Sequence, residues 1–289
     1  MTPSEALLFP VARALYRTEV AHSSEMKEAL QNASAYDAYR SAETAHILPT
    51  LDRFGISLRG KTVVDFGCNY GALSAAYLRH GAARVIGLDV DAVALQRART
   101  MQTDPRLEFR QSDVDAVPLD DASVDLILSY DVFEHVSQPD RIVRELYRAL
   151  TPGGRVLIGT WSWHHPFAPH LWAVMPVPWA HLLVSEKTLL RVSRRVYEAT
   201  WYRPNMFDVD PEGRRIADKY TDTEISTDYL NKFLIRDFER VFRDAGFAHE
   251  THPQPFGSAP WTRPLLAVKC LRELLSSYVW FVLTKPHQE

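Results

Sequence analysis

From residue 61 to residue 160 the sequence alternates short apolar, β-rich runs with stretches of helical spacing. Strands are predicted at residues 62–66, 84–88, 107–111, 124–130 and 155–160. Helices are predicted at residues 71–80, from about 91 and at 140–150, and a Thr-Pro-Gly-Gly turn precedes the last of these strands. Strands that alternate with helices are typical of βαβ units, which build a parallel sheet covered on both faces. The alternation therefore predicts a doubly wound α/β fold.

The flanking regions have a different pattern. Residues 1–58 show helical spacing without a strand signal, and one helix is predicted to end near Pro49. Strand signals also lapse for about 70 residues after Trp161, which is too long for an ordinary connection. A helix at 228–245, a strand from Phe247 and a last strand at 277–284 follow. We expect a helical N-terminal segment at 1–58, an α/β core at 59–160, an inserted helical lid at 161–227 and the remainder of the core at 228–289.

Composition excludes several classes of protein. The chain has 33 Lys and Arg against 36 Asp and Glu, a formal net charge of −3 that is a poor match for a polyanion, so no nucleic acid partner is expected. Cys68 and Cys270 lie far apart, without disulfide or metal-ligand spacing. The start lacks the cationic region of a signal peptide, and no apolar run approaches the roughly 20 residues that span a bilayer. A cytoplasmic protein without a transmembrane segment is expected.

The most specific motif is V-V-D-F-G-C-N-Y-G at residues 63–71, where an apolar strand runs into a glycine turn that opens a helix. In open α/β sheets, nucleotides bind at such a connection. A dinucleotide fingerprint needs two further glycines after Gly67, but those positions hold Asn69 and Ala72. Asp65 at the strand end would also repel a pyrophosphate. A carboxylate there suits a ligand with cationic groups, and S-adenosylmethionine carries both an ammonium and a sulfonium.

Two more acidic residues follow the next predicted strands. Asp89 ends the second strand, where an acceptor-only carboxylate can take both hydrogen bonds of a ribose diol. Asp113 closes the third strand, where a carboxylate can accept from the exocyclic amine of adenine. Each acid alone is more often a solvated turn or cap residue. Together with Asp65, acids at three consecutive strand ends favour a site for adenosine beside a cation.

In these features the sequence resembles the class I S-adenosylmethionine-dependent methyltransferases, in the small-molecule branch that is similar to ubiquinone and sugar-pathway enzymes. The resemblance covers about residues 36–160 and 228–285. Besides residues 65–71 and Asp89, it rests on Asp113, V-P-L at 117–119, S-V-D-L-I at 123–127, F-E-H-V at 133–136 and R-A-L-T-P-G-G at 148–154. It implies a mostly parallel, seven-stranded, Rossmann-like sheet. It also implies S-adenosylmethionine as the cofactor and S-adenosylhomocysteine as its product.

The resemblance also assigns the residues of the cofactor pocket. They are Asp65, Gly67, Cys68, Asn69, Gly71, Asp89, Val90, Asp113, Val114 and Tyr130. The family usually has glycine at the position of Asn69. Asn tolerates positive φ better than most residues, so the turn is expected to survive, with a side chain that can alter the methionine end of the pocket.

A candidate general base follows the fourth predicted strand. Methyl transfer from a sulfonium is an in-line displacement, so alignment of the nucleophile and the methyl carbon supplies much of the rate. A base is required only if the acceptor must lose a proton, as a hydroxyl often does. In the family pattern His135 faces the site and is the candidate catalytic residue. The alternative is a structural histidine bonded to the sheet edge, and Glu134 is interpreted as a bystander carboxylate.

The predicted lid contains five of the seven tryptophans. We expect Trp163, His164 and Trp172 from the lid, with Tyr36 and Tyr39 from the N-terminal segment, to bind the small-molecule acceptor. The alternative is that the tryptophans form the core of the lid or the contact between two copies of the chain in a homodimer.

Two other sets of lid residues receive no function. The lid histidines lack acidic partners at regular helical spacing, so no metal site is predicted. Three arginines, at 191, 194 and 195, lie on the polar side of a helix predicted at 185–197. Arginines there can bind a phosphate, but a solvated helix face is the favoured interpretation.

The sequence thus predicts a methyltransferase that methylates a hydroxyl of a small molecule. Carbon or nitrogen methylation of a hydrophobic or prenyl-like metabolite is the alternative within enzymes. A catalytically silent, methyltransferase-like binding subunit is the alternative from another class, because a fold alone does not prove a function. The set of Asp65, Gly67, Gly71 and Asp89 argues against that alternative. An NAD-dependent enzyme ranks third.

Overall fold

The computed structural model describes residues 2–18, 23–31, 33–210, 212–255 and 260–287. It divides into two compact units. The sheet unit comprises Ser41–Ser162 and Thr227–Glu289, and the helical unit comprises Met1–Arg40 and Trp163–Ser226.

A seven-stranded sheet forms the centre of the sheet unit. Its strands are β1 (Thr62–Phe66), β2 (Arg84–Asp89), β3 (Leu107–Gln111), β4 (Val124–Tyr130), β5 (Leu150–Thr160), β6 (Ala248–Pro255) and β7 (Ser276–Thr284). The strand order is β3-β2-β1-β4-β5-β7-β6. Strands β1 to β5 are parallel, while β7 is antiparallel to both β5 and β6. The predicted doubly wound, mostly parallel sheet is confirmed.

The helices complete both units. They are α1 (Pro3–Leu15), α2 (Ser24–Ala29), α3 (Ala33–Arg53), α4 (Ala72–Arg79), α5 (Ala92–Met101), α6 (Pro139–Ala149), α7 (Ala180–Leu183), α8 (Glu186–Tyr197), α9 (Ile235–Asp244) and α10 (Lys269–Leu275). In the part of the chain that the structure describes, none of these helices is long and apolar enough to cross a bilayer.

Consecutive residues of the central strands enter different apolar cores. Val64 and Ile127 belong to one buried cluster, while Val63 and Leu126 belong to another. Because side chains alternate along a strand, the two clusters lie on opposite faces of the sheet. Burial on both faces explains why these strands are nearly continuous apolar runs in the sequence.

Two predicted helix boundaries are wrong, and packing explains both. Helix α3 does not end near Pro49 but continues to Arg53. Ile47 and Leu51, on either side of the proline, are each only 2% exposed, so tertiary packing outweighs the missing N–H of Pro49.

The helix predicted at 228–245 begins only at Ile235. The buried carboxylate of Glu273 accepts the backbone N–H of Ile235 at 2.9 Å and that of Arg236 at 3.1 Å. A carboxylate at this position satisfies N–H groups that have no partner within the helix and interacts favourably with the helix dipole. The cap comes from α10, so the local sequence contains no sign of it.

A buried carboxylate organises part of the helical unit. Asp208 is fully buried and accepts hydrogen bonds from the hydroxyl of Tyr202 at 2.6 Å and from the N–H of Asn205 at 2.9 Å. The ammonium of Lys219 lies 2.5 Å from the same carboxylate. A buried charge needs such partners to offset its lost hydration. Burial raises the pKa of Tyr202, so its phenol stays a donor at neutral pH.

Candidate active site

The carboxyl ends of the parallel strands meet at one edge of the sheet, where β1 lies between β2 and β4. The strand order reverses at this point, and open α/β sheets bind ligands in the crevice outside such a reversal. The connection from β1 to α4 uses left-handed backbone, with φ of +82° at Gly67, +47° at Asn69 and +75° at Gly71. Asn69 thus adopts the positive φ that its sequence position predicts.

Close packing requires glycine at two positions of this turn. A Cβ atom on Gly67 would lie 2.2 Å from a methyl group of Val132, and one on Gly71 would lie 2.6 Å from the ring of Phe109. The N–H of Gly67 also donates to the carbonyl of Leu88 at 2.8 Å, which ties the turn to β2. The conformation and the space around it therefore both select glycine.

Asp65, near the end of β1, is only 3% exposed. The hydroxyl of Ser74, on α4, donates to its carboxylate at 2.5 Å. Cys68 is also buried, and burial, reinforced by the negative charges of Asp65 and Asp89, raises the pKa of its thiol. The thiol is therefore protonated at neutral pH and is a poor nucleophile.

Asp89 is half-buried at the end of β2, and the backbone fixes its orientation. One carboxylate oxygen accepts the N–H of Asn69 at 2.8 Å, and the other accepts the N–H of Asp91 at 3.0 Å. A carboxylate has about four acceptor positions, so these two bonds leave capacity for a ribose diol. The bond from Asn69 connects the glycine turn to Asp89, the residue predicted to bind the ribose.

Exposed apolar side chains follow the second and third strand ends. Val90 is 54% exposed and Val114 is 57% exposed, each directly after a predicted site acid. Asp113 is exposed, and its N–H donates to the carbonyl of Ala116 at 3.1 Å. The side chain of Gln111 donates to the carbonyl of Val90 at 3.1 Å. Apolar side chains beside an acceptor suit the flat face and the amine of adenine.

Beyond β4 the edge contains a carboxylate that the sequence analysis missed. Asp131 has φ of +54°, and its N–H donates to the carbonyl of Gly159 at 3.0 Å. The hydroxyl of Tyr278, on β7, donates to its carboxylate at 2.8 Å. A Cβ on Gly159 would lie 2.6 Å from that hydroxyl, so glycine is required for the approach. Burial raises the pKa of Tyr278, which keeps the phenol a donor.

Tyr130, which was predicted to contact the cofactor, belongs to an aromatic cluster at the same edge. Its ring centroid lies 4.7 Å from that of Trp280 and 6.0 Å from that of Tyr278. The phenol of Tyr278 thus lies between this cluster and Asp131, which fixes its direction.

His135 ends a short 3-10 helix, Phe133–His135. Its Nδ1 lies 2.7 Å from the carbonyl oxygen of Tyr229, a contact that requires the proton on Nδ1 and leaves the lone pair on Nε2. Burial lowers the pKa of His135, although the nearby charge of Asp131 opposes this effect. The imidazole is therefore neutral at pH 7 and can accept a proton at Nε2.

Glu134, which the sequence analysis interpreted as a bystander carboxylate, is buried. The hydroxyl of Thr160, at the end of β5, donates to its carboxylate at 2.7 Å. The side-chain amide of Asn231 donates to the carbonyls of Phe133 and Val136 at 2.5 and 3.0 Å. These bonds hold the 3-10 helix and thereby the position of His135.

The predicted acceptor-binding residues all lie in the helical unit. Tyr36 and Tyr39 are half-buried on α3. The carbonyl oxygen of Trp163 lies 2.8 Å from Nε2 of His181, and the carbonyl of His164 accepts from the indole N–H of Trp179 at 3.1 Å.

Trp172 lines a small apolar cavity within the same unit. Its other lining residues are Pro166, Phe167, Pro169, Leu171, Met175, Val177, Ala180, His181 and Leu189. Burial lowers the pKa of His181 to about 4, so this wall of the cavity is uncharged at neutral pH. The lid tryptophans thus contribute both to internal contacts and to a cavity.

Residues 64–158 match the family model for a methyltransferase domain. Among curated relatives, an uncharacterized methyltransferase of Mycobacteroides abscessus is 38% identical over 134 residues, which cover 44% of this chain and 51% of that protein. A ubiquinone biosynthesis O-methyltransferase of Pseudomonas putida is 34% identical over 108 residues, which cover 36% of this chain and 46% of that protein. The match spans about half the length of these relatives.

Solved structures share the fold. An S-adenosylmethionine-dependent methyltransferase from Mesorhizobium loti superposes with a TM-score of 0.51 at 22% identity, covering 82% of this chain and 96% of that one. Phosphoethanolamine N-methyltransferase 2 of Haemonchus contortus, in complex with S-adenosylhomocysteine, gives 0.53 at 18% identity, covering 84% and 53%. The chain therefore contains a class I methyltransferase domain, a class whose methyl donor is S-adenosylmethionine. The predicted family and its cofactor are confirmed.

Proposed function

We propose that this chain transfers a methyl group from S-adenosylmethionine to a hydroxyl of a small-molecule acceptor. The observation that carries the proposal is the pairing, at one sheet edge, of a glycine turn bonded to Asp89 with a neutral imidazole at His135. The first suits an adenosine-containing donor, and the second suits removal of a hydroxyl proton. The match to a ubiquinone biosynthesis O-methyltransferase also supports oxygen as the acceptor atom.

The residues at the ends of β1 to β3, together with Tyr130 at the end of β4, are assigned to the cofactor. Asp89 would accept both ribose hydroxyls, and Val90 and Val114 would contact the faces of adenine, with Asp113 accepting from its amine. Asp65, Gly67, Cys68, Asn69, Gly71 and Tyr130 would surround the methionine portion. S-adenosylmethionine supplies an electrophilic methyl group on a sulfonium and leaves as a neutral thioether.

The residues that follow β4 are assigned to removal of the proton from the acceptor hydroxyl. His135 would accept the proton of the acceptor hydroxyl at Nε2, while its Nδ1–H stays bonded to the carbonyl of Tyr229. Asp131, oriented by Tyr278, stabilises the imidazolium that forms, since the two groups already interact electrostatically. Holding the reacting atoms in line supplies the rest of the acceleration.

Recognition of the acceptor is assigned to the helical unit, through Tyr36, Tyr39, Trp163, His164 and Trp172. The apolar side chains of Trp172, Phe167 and Met175 favour contact with an apolar portion of the acceptor. Trp172→Ala should raise the KM for such an acceptor without changing the affinity for S-adenosylhomocysteine. We place the enzyme in the cytoplasm, because Cys68 and Cys270 are both free thiols.

Nitrogen or carbon methylation is the second candidate, and one observation favours it. The bond from His135 to the carbonyl of Tyr229 is also what a purely structural histidine would make. An amine acceptor that is already neutral needs no base, so His135 would then be dispensable for turnover.

Methyl transfer from isotopically labelled S-adenosylmethionine tests the proposal. The full chain is incubated with a cell extract, or with catechol as a hydroxyl probe and ethanolamine as an amine probe, and products are identified by mass spectrometry. A labelled methoxy product that His135→Gln reduces and His46→Gln does not would support O-methylation. Labelled amines alone would favour the second candidate. Binding of S-adenosylhomocysteine without any labelled product would indicate a silent binding subunit.

A further inference from the structure

We propose that the helical unit docks on an anionic lipid surface through the outward face of α1. The evidence comes from α1, α8 and the residues around them, so the proposal does not depend on the identity of the acceptor. A peripheral contact of this kind requires no helix that crosses the bilayer.

Helix α1 has no acidic side chain on its exposed surface. Glu5 is its single acidic residue, and this carboxylate is buried together with Leu8 and Ala12. It accepts the N–H of Thr2 at 2.9 Å and lies 3.5 Å from the guanidinium of Arg191, on α8. A surface helix ordinarily turns its charges toward water and its apolar stripe inward. Here the carboxylate points inward.

The outward face of α1 is apolar. Leu7 is 72% exposed, Val11 is 38% exposed, and Ala14 is also exposed. Residues at spacings of four and three lie on one side of a helix, so these three form a single stripe. Pro3 and Pro10 extend the stripe, and both are exposed. No acidic side chain of α1 contributes to this face.

Cationic and aromatic side chains flank the stripe. Arg13 and Arg17 are exposed along the last turn of α1 and the residues after it. The guanidinium of Arg195 lies 4.3 Å from the ring centroid of Phe9, and that of Arg13 lies 5.9 Å from that of Trp201. Arginines beside aromatic rings, next to exposed leucine and valine, are typical of helices that lie in a membrane interface.

The charge of the flanks selects the partner. Arginines are complementary to anionic headgroups, while the stripe of Leu7 and Val11 can enter the boundary of the acyl region. A symmetric contact between two copies would instead bring the arginine flanks together, with no carboxylate of α1 outside to offset them. An anionic bilayer is therefore favoured over a second copy of the chain.

Co-sedimentation of the full chain with vesicles tests the proposal. The chain should bind vesicles of phosphatidylcholine mixed with phosphatidylglycerol, bind pure phosphatidylcholine weakly, and dissociate at high salt. Leu7→Asp should lower the apparent affinity at least about tenfold, since it removes a leucine-sized apolar contact and adds a negative charge. Arg13→Gln with Arg17→Gln should weaken binding to the anionic vesicles alone.

Val93→Asp is the matched control, because Val93 is 78% exposed, on α5 of the sheet unit, and the substitution adds the same charge. Circular dichroism establishes that each variant is folded. Equal vesicle binding by Leu7→Asp, Val93→Asp and the wild type would overturn the proposal, as would no binding by the wild type. A dimer in light scattering that Leu7→Asp dissociates, without vesicle binding, would assign the face to a second copy instead.

Discussion

The two halves of the carboxyl edge of the sheet are held in different ways. In the half formed by β1, β2 and β3, hydrogen bonds between residues close in sequence fix the site. The N–H of Asn69 donates to the carboxylate of Asp89, 20 positions away, and the hydroxyl of Ser74 donates to that of Asp65, 9 positions away. In the half formed by β4, β5 and β7, contacts from distant segments fix it. Tyr278 reaches Asp131 across 147 positions, and the carbonyl of Tyr229 reaches His135 across 94. Under the proposed function, the cofactor contacts other than Tyr130 belong to the locally encoded half, and the acceptor chemistry belongs to the half assembled by the fold.

The largest expected effect is that of His135→Gln, which should change turnover but not cofactor affinity. His135→Gln should lower turnover by about 10²- to 10⁴-fold, the usual contribution of a general base, while leaving the affinity for S-adenosylhomocysteine unchanged. The control is His46→Gln, because His46 is an exposed histidine on α3. Equal turnover in both variants would remove His135 from the chemistry.

The pH profile sharpens the same test. Burial lowers the pKa of His135, so the imidazole is already in its basic form at pH 7. The value of kcat/KM should be level near neutrality and fall only as the pH decreases through a pKa below 6.5. The Gln variant should lack this acid limb, whereas a purely structural histidine would leave the limb in place.

The second-largest effect is expected in the half formed by β1, β2 and β3, for Gly71→Ala. Gly71→Ala places a Cβ 2.6 Å from the ring of Phe109 at a φ of +75°, and should lower cofactor affinity about hundredfold, or about 2.7 kcal/mol. Gly60→Ala is matched for strain, because φ is +72° and nothing lies within 4 Å of its Cβ. Calorimetry with S-adenosylhomocysteine measures both. If Gly60→Ala binds as poorly as Gly71→Ala, backbone strain rather than site geometry is responsible.

Asp89→Ala should have the third-largest effect, a loss of cofactor affinity. It removes the carboxylate that accepts from the ribose, a charge-assisted interaction worth about 1.5–3 kcal/mol, and releases the N–H of Asn69. Cofactor affinity should fall at least about tenfold. Asp104→Ala, which removes an exposed carboxylate paired with Arg106, should leave that affinity unchanged. Unaltered binding by Asp89→Ala would contradict the ribose assignment.

Tyr278→Phe should have the smallest effect. It tests the half of the edge formed by β4, β5 and β7. Loss of its bond to Asp131 should lower the free energy of unfolding by about 1–2 kcal/mol and raise the acceptor KM several-fold, without changing cofactor affinity. Tyr147→Phe is the control, since its ring packs on Phe247 at 5.0 Å on another part of the sheet unit. A changed cofactor affinity in Tyr278→Phe would break the division between the halves.

The sequence predicted the locally encoded half well. Buried parallel strands are apolar runs, so their alternation with helices predicted the sheet, and the glycine turn and the acids at strand ends are readable within short segments. Asn69 was expected to adopt positive φ and does so, with φ of +47°. The roles assigned to these residues remain predictions that the variants above test.

In the half assembled by the fold, the sequence analysis named His135 and Tyr130 but missed Asp131, although Asp131 directly follows the end of β4. That position was the available signal, but nothing near it identifies Tyr278 as its partner. The same limit explains the start of α9, which Glu273 caps from α10, and the passage of α3 through Pro49. Tertiary contacts decide these features, and periodicity does not encode them.

A crystal structure of the full chain with S-adenosylhomocysteine would show the proposed cofactor pocket itself. We expect both ribose hydroxyls within hydrogen-bond distance of the Asp89 carboxylate, adenine between Val90 and Val114, and the thioether sulfur facing the half that contains Asp131 and His135. A ligand bound elsewhere, or an Asp89 carboxylate without contact to the ribose, would contradict this prediction.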